Sequence, residues 1–213
     1  MIVIENLDVH GVARAIYSAR NAMNSWDKSD SRFETDTMGE NDLKLAKQLV
    51  KAGTDHAKFM RMITVTLDIT APMYWWKEFD TYKVATVRNS CSTMHTIHKK
   101  EFTLDDFSHE HLLTEKETEW GDICPIITLE CTISALNNFR KKFLETKDKK
   151  YWWQMIQLLP SSYNQRSTVQ LNYAVLRNIY HARKGHKLDE WRDFCKWVEE
   201  LPYSELITME GLE

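Results

Sequence analysis

Glycine and proline are scarce, six and four residues in a chain of 213. That excludes collagen-like repeats, proline-rich spacers and flexible linkers. Cysteine is scarce too, and Cys91, Cys124, Cys131 and Cys195 form no Cys-x-x-Cys pair. Neither a zinc-ligand spacing nor a disulfide framework is written into them. No apolar run approaches the ~20 residues that a membrane helix needs. The opening residues Met1-Ile2-Val3-Ile4-Glu5 lack a basic region followed by a long apolar stretch, so no secretory leader is expected. Scattered thiols beside many lysines fit a cytoplasmic protein. No charge of one sign dominates: 28 Lys and Arg stand against 31 Asp and Glu, a net −3. A nonspecific grip on nucleic acid is therefore not expected. A locally basic pocket for a small anionic substrate is compatible with that balance. Neither nucleic acid nor membrane is expected as a partner.

What is present is globular in proportion, with 43% hydrophobic and 28% charged residues. The length suits one domain over residues 1–213, with room for a real core. Eight tryptophans are the unusual feature. Trp75-Trp76 and Trp152-Trp153 come in pairs, which suits broad apolar surfaces, either at an interface or in the core.

Periodicity gives the elements. Residues 2–4 are a short strand candidate. Asp8 is placed to cap a helix carrying Val12, Ile16, Ala19 and Met23, and residues 24–39 read as a long loop. Asn41 is placed to cap a helix through Leu43, Ala46, Leu49 and Val50, stopped at Gly53. Ile63, Val65, Leu67 and Ile69 alternate with polar residues, the clearest strand in the chain, and Pro72 ends it. A helix from about Met73 carries Trp76, Phe79 and Lys83. Residues 96–107, basic then acidic, read as surface. Helices are expected over Ile126–Phe143 and Tyr151–Leu159. Ser167 and Gln170 fit a capping box, which starts a helix running to about Arg183 with Gly185 as its stop. Asp189 is placed to cap a last helix with Trp191, Phe194, Val198 and Leu201 on one face, ended by Pro202. The class is α+β, a small sheet packed with helices, with a helix-rich C-terminal half.

Several groups can carry chemistry. On the expected 168–183 helix, Asn172, Leu176, Ile179 and Arg183 share one face. Arg183 reads either as an exposed cation suiting a helix C-terminus or as a group turned to a ligand. His56 opens a strand from a loop, where it is either a surface residue or faces a pocket. His95 with His98, and His181 with His186, lack a third ligand, so no metal site is expected. Residues 81–93 are rich in hydroxyls and hold Lys83 and Arg88. They read as a phosphate loop or as an ordinary polar loop. Cys91 has a cation nearby and is a candidate nucleophile, although no His partner is assigned to it.

The order of parts resembles the flavin-dependent thymidylate synthases (the ThyX family). The residues that carry the resemblance are His56-Ala57-Lys58-Phe59, Pro72, Leu159-Pro160, the Asn172, Asn178 and Arg183 series, His186 and Trp191. They cover nearly the whole chain in the family's order. The family's Arg-His-Arg is replaced by Thr81-Tyr82-Lys83, and its next serine by Thr86. A later serine and arginine are replaced by Cys91 and Thr93. The arginine three residues before Leu-Pro is Ile156. Lys83, Arg88 and Arg166 are candidates to restore the missing charge.

The resemblance implies FAD as cofactor, NADPH as reductant, methylenetetrahydrofolate as carbon donor and dUMP or a related pyrimidine nucleotide as substrate, within a homotetramer. It implies Arg183 as the catalytic residue, and His56, Thr81, Tyr82, Lys83, Asn89, Asn172 and Asn178 at the cofactor. It implies Glu78, Thr81, Asn89, Ser90, Cys91, Ser92, Thr93 and Arg183 at the nucleotide. Two alternatives stand beside it. One is another pyrimidine nucleotide or a hydroxymethyl product. The other is a catalytically silent nucleotide-binding protein on the same scaffold.

Overall fold

A computed structural model of the chain describes residues 2–209. The class is α+β, as expected. In chain order the elements are β1 (Val3–His10), α1 (Val12–Ala19), α2 (Glu40–Lys51), β2 (Thr64–Pro72), α3 (Met73–Phe79), β3 (Val87–Ser90), α4 (Thr93–Thr96), α5 (Pro125–Thr146), α6 (Lys149–Leu158), β4 (Asn164–Asn172), α7 (Tyr173–Arg183), α8 (Asp189–Glu199) and α9 (Glu205–Thr208). The four strands form one sheet in the order β1-β2-β4-β3. No helix among the described residues is long and apolar enough to cross a membrane.

The chain divides into two compact units. One holds residues 70–78 and 90–167. Its core is Ile97, Phe102, Phe107, Leu129, Ile133, Leu136 and Met155. The helical spacing of Leu129, Ile133 and Leu136 on α5 builds one wall of it, as expected from the sequence. The 96–107 stretch is a correction, because Ile97, Phe102 and Phe107 are buried rather than surface. Asn137 on α5 fixes this segment. Its Oδ1 accepts the Phe102 N–H at 2.9 Å and its Nδ2 donates to the Phe102 carbonyl at 2.8 Å. Trp75 and Trp76 are buried in this unit, while Trp153 stays exposed.

The other unit holds residues 2–69, 79–89 and 168–209. In β2 the residues Val65, Leu67 and Ile69 are buried and alternate with half-buried Thr64, Thr66, Asp68 and Thr70, as the sequence pattern requires. The strand β1 runs eight residues rather than three and takes in Asp8. Asp8 therefore caps no helix; its carboxylate meets His10 instead, at 2.7 Å. Helix α1 begins after Gly11, whose φ of +87° suits glycine and whose Cα lies against the Met62 carbonyl, where a Cβ would come within 2.6 Å.

The 24–39 loop supplies the N-terminal partners for both early helices. Asp36 accepts the Gly11 and Ala13 N–H groups at 2.6 and 2.8 Å. Asp30 accepts those of Asn41 and Asp42 at 2.8 and 3.0 Å. Asn41 is thus not the cap of α2; Gly39 holds that position. A buried ion pair locks the same region. Asp42 accepts from Arg20 Nε at 2.6 Å and from the hydroxyls of Ser29 and Ser31 at 2.6 and 2.5 Å.

The main departure from expectation is residues 164–172, which form a strand rather than the start of a helix. Ser167, Val169 and Leu171 point inward while Arg166, Thr168 and Gln170 are exposed. Thr168 donates to Asp68 at 2.5 Å, and Gln170 reaches Thr66 at 3.4 Å, so the polar face of β4 bonds to that of β2. Helix α7 starts at Tyr173, and Asn172 is its cap. The last long helix, α8, buries Trp191, Phe194 and Val198 as expected, with Leu188 rather than Asp189 at the cap position.

Candidate functional site

The strand-to-helix corner at Asn172 positions the first group. The Asn172 Oδ1 accepts the Val175 N–H at 3.0 Å, the bond that satisfies an orphan donor of the first turn. That occupies one of the oxygen's two acceptor positions, and the amide Nδ2 remains as the donor for a ligand. One turn on, Ala174, Arg177 and Asn178 stand at i, i+3 and i+4 on one side of α7.

These residues line a cavity of about 400 Å³. Its polar lining is Thr54, Arg61, Asn172, Arg177 and Asn178. Its apolar lining is Ala57, Met60, Val84, Ala85, Ala174 and Val175. No carboxylate is among them. The segment 57–62 is a 3-10 helix that precedes β2. Ala85 holds φ at +59°, a left-handed conformation that costs a non-glycine residue energy, at the point where the 80–86 loop reaches the cavity.

A second constellation surrounds Arg183. The expected helix from Met73 to Lys83 stops at Phe79, so Lys83 lies in a loop and is exposed. In that loop Tyr82 turns to the end of α7, and its hydroxyl accepts the Arg183 Nε–H at 2.9 Å. The guanidinium carbon also lies 4.9 Å from the Trp191 ring centre and 5.7 Å from that of Tyr82. Such contacts favour a cation over aromatic faces. Trp191 is itself buried and stacks on Phe79, with ring centres 6.4 Å apart. Arg183 is therefore half-buried and fixed in direction rather than an exposed cation at a helix end.

The remaining expected residues distribute as follows. His56 is exposed and outside the lining, although its neighbours Thr54 and Ala57 are in it. Thr81 is exposed, and so is Asn89 near the end of β3. Arg88 is paired with Asp80 through two contacts of 2.7 and 2.9 Å, which compensates its charge. In the unit of residues 70–78 and 90–167, Glu78 ends its segment half-buried, and Ser90 and Cys91 are exposed. The Cys91 N–H donates to the Arg166 carbonyl at 2.9 Å, and the Cys91 carbonyl accepts from Gln165 at 2.7 Å. Ser92 caps the one-turn helix α4 that Thr93 begins, its hydroxyl accepting the His95 N–H at 3.3 Å. Among the described residues, no group of three or more His, Cys, Asp or Glu can hold a metal ion.

Sequence reasoning did not find Arg61 and Arg177. No spacing marks them in the sequence: Arg177 and Asn178 are adjacent and stand about 100° apart on a helix wherever it starts.

No protein-family model matches the chain, and no curated protein matches it. Solved structures do. Thymidylate synthase X from Helicobacter pylori, with FAD and dUMP, is similar at a TM-score of 0.70 and 16% identity, over 100% of this chain and 99% of that one. A second structure of the flavin-dependent enzyme from that organism, complexed with FAD and dUMP, gives 0.68 and 17%, over 99% and 98%. The UMP/dUMP methylase PolB from Streptomyces cacaoi, bound with 5-Br dUMP, gives 0.67 and 14%, over 100% and 97%. At these identities the likeness is one of architecture, and along its full length the chain has the thymidylate synthase X fold.

Proposed function

We propose that the chain is an FAD-dependent pyrimidine-nucleotide methylase, in the simplest form a thymidylate synthase that methylates dUMP at C5. Methylenetetrahydrofolate would donate the carbon and NADPH the reducing equivalents, within a homotetramer of this single-domain chain. The observation that carries the reading is the shared cavity of Asn172 and Asn178, apolar in most of its lining and, among the described residues, free of carboxylates. That chemistry suits a flat heteroaromatic ring with polar edges and attached phosphates. A volume of about 400 Å³ lies at the low end for drug-sized ligands, so it houses part of a dinucleotide.

When bound, reduced flavin supplies the hydride that completes the methyl group. The chain's own residues position and polarise. Asn172 offers its Nδ2 donor from a fixed cap, and Asn178 an exposed amide, to the edges of the cofactor. Tyr82 reaches the chemistry through Arg183, while Thr81, Lys83 and His56 flank the cofactor. Arg183, permanently charged and planar, donates to the pyrimidine and stabilises negative charge on its carbonyl edge. Its pairing with Tyr82 and Trp191 sets its direction before substrate arrives, so little reorganisation is needed at reaction. Glu78, Thr81, Asn89, Ser90, Cys91, Ser92 and Thr93 are assigned to the nucleotide and its phosphate.

A second reading, another pyrimidine nucleotide in the same site, is favoured by one observation: a similar structure is that of a methylase named for both UMP and dUMP. Both readings meet one experiment. The protein is incubated with FAD, NADPH, methylenetetrahydrofolate and either dUMP or UMP, and the nucleotide is weighed by mass spectrometry. The expected product is heavier by one CH2 unit. Arg183→Ala lowers its rate by about 100-fold or more, the scale of losing one transition-state donor. Unchanged nucleotide in both reactions would leave the silent binding protein as the better reading, and full turnover by Arg183→Ala would remove the catalytic assignment.

A further inference from the structure

We propose that Arg61 and Arg177 form a two-guanidinium anion site that holds the diphosphate of the flavin dinucleotide, taking over charge that Thr81 and Tyr82 do not supply. The inference rests on the flavin reading above. Both arginines line the cavity that holds Asn172 and Asn178. The two come from segments more than a hundred residues apart, which only the fold brings to one cavity.

Arg61 is exposed and Arg177 half-buried. Among the described residues, no carboxylate lines the cavity. Among the described residues, neither guanidinium has an acidic partner. The polar contact of Arg177 is to the Met209 sulfur, at 2.8 Å. A thioether is a weak acceptor and carries no charge. Arg177 is half-buried, and burial pulls its pKa below the ordinary value. A cation held partly out of water with no anion beside it is costly, and a phosphate-bearing ligand removes that cost. Guanidinium forks match phosphate oxygens in a bidentate geometry that lysine cannot reproduce.

The cations expected from the sequence contrast with these. Arg88 is paired with Asp80. Lys83 is exposed and outside the cavity lining. Among the described residues, Arg61 and Arg177 are the only cationic ones in that lining.

The test is equilibrium titration of the full-length protein with FAD, riboflavin and inorganic diphosphate, on wild type, Arg61→Gln, Arg177→Gln and the charge control Lys44→Gln. Circular dichroism verifies that each variant is folded. The expected result is that each arginine variant binds FAD about tenfold more weakly while its riboflavin affinity is unchanged, and Lys44→Gln matches wild type. Wild-type FAD binding should also weaken as salt rises, and less steeply in the variants. Equal FAD affinity in wild type and both arginine variants would overturn the inference and leave the flavin reading standing. If wild type binds neither flavin, the flavin reading fails, and diphosphate then decides. Binding lost in both arginine variants supports the anion site; no binding, or binding unchanged by them, overturns it.

Discussion

Tyr82→Phe removes one oxygen from the chain and leaves the ring. In the folded protein that oxygen accepts the Arg183 Nε–H at 2.9 Å. The ring itself, 6.1 Å from that of Trp191, loses nothing. A hydrogen bond to a charged group contributes about 1.5–3 kcal/mol when buried. Tyr82 and Arg183 are both half-buried, so water replaces part of the bond and about 1–2 kcal/mol is the better figure. If that bond directs the guanidinium toward the reacting pyrimidine, the loss falls on turnover, by about 5–30-fold. Nucleotide affinity should change less, because Arg183 keeps its charge and its place over Trp191. The assay is steady-state methyl transfer, with kcat and KM for the nucleotide taken separately and thermal unfolding recorded beside them. A lowered kcat with nearly unchanged KM and Tm is expected. A variant that loses Tm but keeps its kcat would show the bond to be merely structural and refute the argument.

Two other predictions concern stability and reactivity. Asp42→Asn should cost about 3–5 kcal/mol in denaturant unfolding, because it leaves Arg20 buried and uncompensated. Burial alone would raise the Asp42 carboxyl, but hydrogen bonds from Ser29, Ser31 and Arg20 outweigh it and hold it below 3.8. Its share of stability is therefore present above that pH and lost as pH falls through the lowered value, a loss that Asp42→Asn should not show. Burial pushes the Cys195 thiol up to about 11. Alkylation of the native protein at pH 8 should thus mark exposed Cys91 and Cys131 and spare Cys195, read by peptide mass. Labelling of Cys195 at the rate of Cys91 would contradict its placement. Stability should also decline above pH 9, where the unfolded thiol ionises and the native one does not.

Where side-chain period and burial agreed, the elements were legible. The alternation from Ile63 to Ile69 and the apolar face of Trp191, Phe194 and Val198 fixed β2 and α8. The 164–172 segment misled because Ser167 and Gln170 satisfy the capping-box spacing while Ser167, Val169 and Leu171 also alternate. Local chemistry permits both, and pairing of Thr168 and Gln170 with β2 decides. The burial of Ile97, Phe102 and Phe107 was invisible because they share no period; a distant amide, Asn137, ties their segment down. Asp8 and Asn41 looked like caps, but carboxylates from the 24–39 loop took that role from a distance. At the candidate site, the spacing of Asn172, Asn178 and Arg183 was readable. The approach of residues 54–61 to α7, which delivers Arg61 to the same cavity as Arg177, was not. Nor was the turn of Tyr82 toward Arg183, set by a helix that stops at Phe79.

The central claim is that this chain binds flavin, and the visible absorbance spectrum tests it most directly. The purified protein is loaded with FAD and dialysed before the spectrum is taken. The account predicts a retained flavin spectrum, with about one flavin per chain. A colourless protein after loading would contradict it.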